Sequence, residues 1–149
     1  MKINRSDRPY ARRLLHHWLD LSPKASRPCW LLGRCDFGDL KYAEGIAWEE
    51  KALRWQPGNR DYLAFLGGGL LKLGTPGSLE RAAQVLSQAV ALAPDNAEYR
   101  DLYGQALQRL GRYEEARRQF LQALDLDPFR ISSYAPLAQL AWRLNRPGC

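Results

Sequence analysis

Apolar residues recur along this chain every three or four positions in short blocks, and each block closes on a glycine or a proline, the spacing of amphipathic helices separated by turns. The clearest stretch runs from Ala97 to Pro128, where Tyr103-Gly104, Leu107, Gly111, Tyr113, Ala116, Phe120, Ala123 and Pro128 lie on the facing sides of two helices. That is a helix-turn-helix unit of about 34 residues. Upstream, Leu66-Gly67, Leu70, Gly74, Ala82, Leu86, Ala89 and Pro94 repeat the series, with extra residues expected in the turn Thr75-Pro76-Gly77-Ser78. A third, weaker copy reads Leu32-Gly33, Tyr42, Gly45, Ala52, Leu53 and Pro57, with Gly45 where the other copies carry alanine.

Each recurring residue has a physical task. Gly67, Gly104, Ala82, Ala116, Ala89 and Ala123 let two antiparallel helices approach closely, while Leu86 and Phe120 fill the space between them. Pro57, Pro94 and Pro128 stop the second helix of each pair, because proline lacks the amide donor and its ring clashes with the preceding turn. Gly74 and Gly111 end the first helices, where a left-handed residue is needed. Asn59, Asp95-Asn96 and Ser132-Ser133 are expected to cap the helices that follow.

Half-units frame the array. Residues 6–21 place Ala11, Leu15, Trp18, Leu19 and Leu21 as a second helix would, and Tyr134, Leu137, Ala138, Ala141 and Leu144 read as a first helix, with Pro136 in its opening turn. The pattern predicts one all-α domain over 1–149 with about eight helices: a half repeat at 6–21, repeats at 26–57, 60–94 and 97–128, and a terminal helix at 131–145. Trp18, Leu19, Leu137 and Leu144 are then left without their usual neighbours, so either copies self-associate end to end or the chain belongs to a larger protein.

Composition narrows the function classes. In 149 residues, 46% hydrophobic and 26% charged, there is enough apolar surface for a core and no run long enough to span a membrane. No signal peptide is read at the start, and a cytoplasmic, non-membrane protein is expected. Cys29, Cys35 and Cys149 match no zinc spacing and are expected to be reduced and structural. The whole net charge of +6 lies in residues 1–34, where Lys2, Arg5, Arg8, Arg12, Arg13, Lys24, Arg27 and Arg34 face only Asp7 and Asp20. Such an end can steer a polyanion, or merely be solvated, with Arg12 and Arg13 facing water.

On these residues the chain resembles the tetratricopeptide-repeat family from about residue 6 to 145. The resemblance implies a right-handed superhelix whose inner groove binds peptides or helices of partner proteins. By register it transfers the groove lining onto Arg27, Trp30, Arg34 and Phe37; Asp61, Ala64, Gly68, Leu71 and Lys72; Glu98, Asp101, Gln105, Gln108 and Arg109; and Ser132, Ala135, Gln139, Trp142 and Arg143. Trp30 and Trp142 could anchor a ligand or simply pack. Family members that clamp a chaperone's C-terminal carboxylate use Lys, Asn and Arg at positions that here read Trp30, Arg34, Phe65, Glu98 and Leu102, so such a clamp is not expected.

Gly67-Gly68-Gly69 inside a helix should cost roughly 2–3 kcal/mol against alanine, and needs compensation. Gly67 and Gly69 permit close helix contact. Gly68 either leaves a bare groove floor for a partner or marks a weak, kinked helix. Catalysis lacks parts: His16 and His17 are the only histidines and face different ways, His16 with Asp20 would give a metal only two ligands, and no phosphate loop follows a strand. Neither enzyme activity nor a cofactor or metal is expected. The leading reading is a scaffold or adaptor that holds a protein or peptide partner, in complex assembly for example. The alternatives are a dedicated chaperone resembling three-repeat bacterial secretion chaperones, which are usually acidic where this chain is basic, and RNA or polyanion binding by the basic N-terminal helix.

Overall fold

The computed structural model describes residues 4–145 and contains eight helices and, among those residues, no strand. They are α1 (Arg8–Leu21), α2 (Ser26–Gly38), α3 (Tyr42–Trp55), α4 (Arg60–Leu73), α5 (Pro76–Leu92), α6 (Ala97–Arg109), α7 (Tyr113–Leu126) and α8 (Ile131–Leu144). The tightest packing joins α2 to α3, α4 to α5 and α6 to α7, and each second helix also rests on the next first helix. First helices touch each other as well, α4 to α6 and α6 to α8, forming an inner layer. The result is the expected superhelix of three hairpins between two single helices.

Small residues set the spacing. A Cβ on Gly67 would fall closer than 3.0 Å to Leu86, and one on Gly104 would meet Phe120 Cε1 at 2.9 Å. Leu86 and Phe120 are fully buried in those notches, where truncation to alanine typically costs about 3–5 kcal/mol. In the first hairpin the same notch, at Gly33, receives the carboxylate of Glu49.

Caps follow the sequence only in the middle of the array. Asn59 accepts from the amides of Asp61 and Tyr62, Thr75 from Ser78 and Asn96 from Tyr99. Three expectations are corrected here. Thr75-Pro76-Gly77-Ser78 is not a longer turn: Thr75 caps and Pro76 opens α5, so the extra residues lengthen that helix to 17 residues. Ser132 and Ser133 are not caps, since α8 starts at Ile131 and both hydroxyls donate to Asp101. Pro136 lies inside α8, past its opening turn, and removes the donor to the carbonyl of Ser132.

The first helix also departs from expectation. Arg12 does not face water: it donates to Asp36 at 2.6 Å and Asp39 at 2.8 Å, beside an Arg8–Asp39 pair. Leu19 has neighbours too, being buried with Leu15, Cys29 and Leu32 under the α1–α2 contact. Leu137 packs on the cluster of Leu107, Phe120 and Leu140. Cys29 and Cys35 are buried free thiols whose pKa values are raised by burial, and Cys149 lies outside the described residues.

Candidate functional site

The inner layer contains a cavity of about 550 Å³ between α2, α4 and α6. Helix periodicity places Trp30, Arg34 and Phe37 on one wall, Phe65, Gly68 and Lys72 on the next, and Glu98 and Leu102 on the third. The Trp30 and Phe65 rings meet edge to face at 5.4 Å. The Arg34 guanidinium sits over both, 4.9 Å from Trp30 and 5.2 Å from Phe65, and Arg27 also approaches the Trp30 ring, at 5.8 Å. Such cation–π contacts contribute roughly 0.5–2 kcal/mol each and leave the guanidinium with its full charge.

The three glycines have separate explanations. Gly67 receives Leu86, as above. Gly69 and Gly45 receive the ring of Phe37, whose atoms would lie closer than 3.0 Å to a Cβ at either position. Phe37 is thus a wedge between α3 and α4 as well as a wall of the cavity. A Cβ on Gly68 would meet nothing within 4 Å, so this glycine forms an open floor. Helix α4 runs unbroken from Arg60 to Leu73 through all three.

The cavity is polar at its rims. At the N-terminal end of α4, Asp61 accepts a hydrogen bond from the Tyr99 hydroxyl, and burial together with this bond raises the Tyr99 pKa. Lys72 stands at the other end. Seated against Gly33, Glu49 is fully buried with neither carboxylate oxygen hydrogen-bonded, and burial pushes its pKa up to about 9, opposed only by Arg34. At neutral pH it is a carboxylic acid.

Of the residues assigned by register, Trp30, Arg34, Phe37, Asp61, Ala64, Gly68, Lys72 and Glu98 come together around the cavity. Leu71 does not: its side chain is buried in the core with Leu66, Leu70 and Ile46, and only its carbonyl is reached, by Arg109. Asp101 is buried in a tie to Ser132, Ser133 and Gln105. Gln108 donates to Gln139 at 3.3 Å, linking α6 to α8. Gln139, Trp142 and Arg143 line a separate shallow depression with Ala138. Phe65 and Leu102, which stand at the family's clamp positions and lie four residues from Asp61 and Glu98, line the cavity too, and Tyr99 is the lining residue that the register does not assign. Among the described residues, no cluster of His, Cys, Asp and Glu could hold a metal, and no helix is long and apolar enough to cross a membrane.

Residues 76–141 match the family model of the tetratricopeptide repeat. The structure superposes on MamA (residue 41 to the end) from Desulfovibrio magneticus RS-1 with a TM-score of 0.87 and 25% identity, over 94% of this chain and 77% of that one. YrrB, a tetratricopeptide-repeat protein with an unusual peptide-binding site, matches with a TM-score of 0.84 and 26% identity over 95% of this chain and 72% of that one. The first repeat domain of Spaghetti (RPAP3) bound to the HSP90 peptide SRMEEVD shares the fold, at 21% identity and a TM-score of 0.76, over 81% of this chain and 94% of that one. Comparison with curated proteins finds no relative. The in-phase glycines, alanines and prolines, the stacked hairpins and these matches agree: residues 76–141 match the tetratricopeptide repeat, and the chain as a whole is similar in fold to tetratricopeptide-repeat proteins.

Proposed function

We propose that this chain is a protein-interaction scaffold that holds a peptide or helix of a protein partner against α2, α4 and α6. The observation that carries the reading is the bare floor at Gly68 between the Trp30–Phe65 wall and Lys72. A mid-helix glycine is destabilising by roughly 1 kcal/mol relative to alanine. Gly67 and Gly69 recover that through packing, whereas Gly68 touches nothing and is accounted for by an incoming group. The Spaghetti domain, which shares this fold, is bound to an HSP90 peptide, and that supports a peptide-holding role for this chain. The residues available differ from a carboxylate clamp, because Trp30, Phe65 and Leu102 make the socket apolar and Arg34 is held by two rings.

The test uses partners captured from native lysate by the wild-type chain. Gly68→Leu and Trp30→Ala should each weaken the captured complex at least about tenfold while circular dichroism stays unchanged, as expected of a central contact. Unchanged affinity in a folded Gly68→Leu variant sinks the reading.

A second reading concerns the ends. On α1, Tyr10, Leu14, Trp18 and Leu21 form one exposed stripe; on α8, Ala138 is exposed at the register where Gly67 and Gly104 receive a partner helix. These faces favour end-to-end association of copies. Sedimentation velocity should show mass rising with concentration and Ala138→Glu should abolish the rise; a strict monomer throughout overturns this reading.

A further inference from the structure

The inner helices carry a row of cations that the groove reading alone does not explain. Lys72, Arg109 and Arg143 occupy the last turns of α4, α6 and α8 at one register position. Arg109 reaches back to the end of α4, donating to the carbonyl of Leu71 beside Gly74. Arg143 reaches back in the same sense, 3.2 Å from the Tyr113 hydroxyl and 5.3 Å above its ring. The three are exposed and, among the described residues, none takes part in an ion pair, whereas Arg8, Arg12, Arg81 and Arg112 are each matched to a carboxylate. A helix dipole favours cations at any C-terminus. Four helices, α1, α2, α5 and α7, have no basic residue in their last turns, and among the outer helices α3 has Arg54; what sets Lys72, Arg109 and Arg143 apart is their shared register on three successive inner helices.

The row begins at the socket, since Lys72 lines it. The opposite rim is acidic, with Asp61 and Glu98 in the first turns of α4 and α6. The concave face is therefore apolar at one point and electrically polarised across its width. Resting on the groove reading, we infer that the partner segment is acidic: one bulky apolar side chain enters the socket over Gly68, and carboxylates beside it follow Lys72, Arg109 and Arg143. A basic segment meets three unpaired cations on that edge, and an acidic one laid the other way meets Asp61 and Glu98. Complementarity of this kind fixes orientation and speeds encounter.

The experiment is selection of a random twelve-residue peptide library on the full chain, with Gly68→Leu as the counter-selected protein. Enriched peptides lost on Gly68→Leu should combine one aromatic or large aliphatic residue with an excess of Asp and Glu. A labelled representative should bind K72E/R109E/R143E at least about tenfold more weakly and lose affinity with added salt. Lys72→Glu alone serves if the triple variant does not fold. Enrichment of Lys and Arg, or no charge bias, overturns the acidic-segment inference and leaves the groove intact. Peptides indifferent to Gly68→Leu, or a library yielding none, overturn the groove reading with it. A twelve-nucleotide single-stranded RNA that displaces the peptide also overturns the inference, since the row would then be a general polyanion surface.

Discussion

Leu40 stands where the later hairpins have glycine. Its φ is +62°, close to the +70° and +79° of Gly74 and Gly111, and the amide of Lys41 closes the same bond to Asp36 that Arg112 closes to Leu107. The left-handed conformation costs a side chain about 1–2 kcal/mol, part of which glycine returns through the greater freedom of its unfolded chain. Leu40 is 71% exposed, so it loses little packing in exchange. Leu40→Gly should therefore raise the melting temperature by about 1–3 °C, and Gly111→Ala should lower it. Calorimetry of the two variants checks both, and a drop for Leu40→Gly contradicts the backbone argument. Glu49 is a residue-scale fault of another kind, an acid in the notch that Leu86 and Phe120 fill elsewhere. Its pKa rises from 4.5 to about 9 on folding, so between those values the folded chain holds a proton that the unfolded chain has released. Stability must then fall as pH rises across that window, by up to about 1.4 kcal/mol per pH unit. Melting curves from pH 5 to 8.5 should show this slope in the wild type and a flatter, higher line for Glu49→Leu; parallel lines would dismiss the buried acid as the cause.

Helix order was legible because the signals were redundant: proline after each second helix, a small residue in each notch, and asparagine at two of the caps. The elements misread are those where a local signal had two outlets. Thr75-Pro76-Gly77-Ser78 looks like a turn, yet threonine and proline also open a helix, and the packing of Leu79 and Ser78 into the core drew the segment into α5. Ser132-Ser133 has capping chemistry, but a buried carboxylate at Asp101 competes for the hydroxyls and wins. The family resemblance transfers Leu71 to the groove by register, and its neighbours across α4–α5 decide otherwise. The Asp101 tie also makes a prediction. Ser133 is fully buried and donates to Asp101 at 2.7 Å, so Asp101→Ala leaves a buried hydroxyl unpaired on the face that docks α8. That costs about 1–3 kcal/mol, concentrated on one helix. Limited proteolysis should cut within α8 of Asp101→Ala while α4 to α7 stay intact, and Asp101→Asn, which keeps an acceptor, should resist longer. Equal resistance in all three proteins would show that apolar packing alone holds α8.

In a stack where each hairpin touches only its neighbours, stability is a local property and need not be uniform. The first hairpin combines a strained Leu40 and a Glu49 without a hydrogen-bond partner, and neither its helices α2 and α3 nor the preceding α1 has a side-chain cap. The middle of the array has caps at α4, α5 and α6, and the largest contiguous core, around Leu66, Leu70, Leu79 and Leu86. The Arg8 and Arg12 pairs to Asp39 and Asp36 hold α1 on α2, but partly exposed pairs contribute little each. Native-state hydrogen exchange should accordingly find α4 to α7 best protected and α1 to α3 opening at lower free energy. The socket straddles that boundary, with Trp30 and Arg34 on the weaker side and Gly68 and Lys72 on the stronger. A ligand that bridges the two must stabilise the weaker side most, so protection gained on binding should concentrate in α2 and α3. Uniform protection in the free protein, or a gain confined to α4 to α7 on binding, would contradict this division of the array.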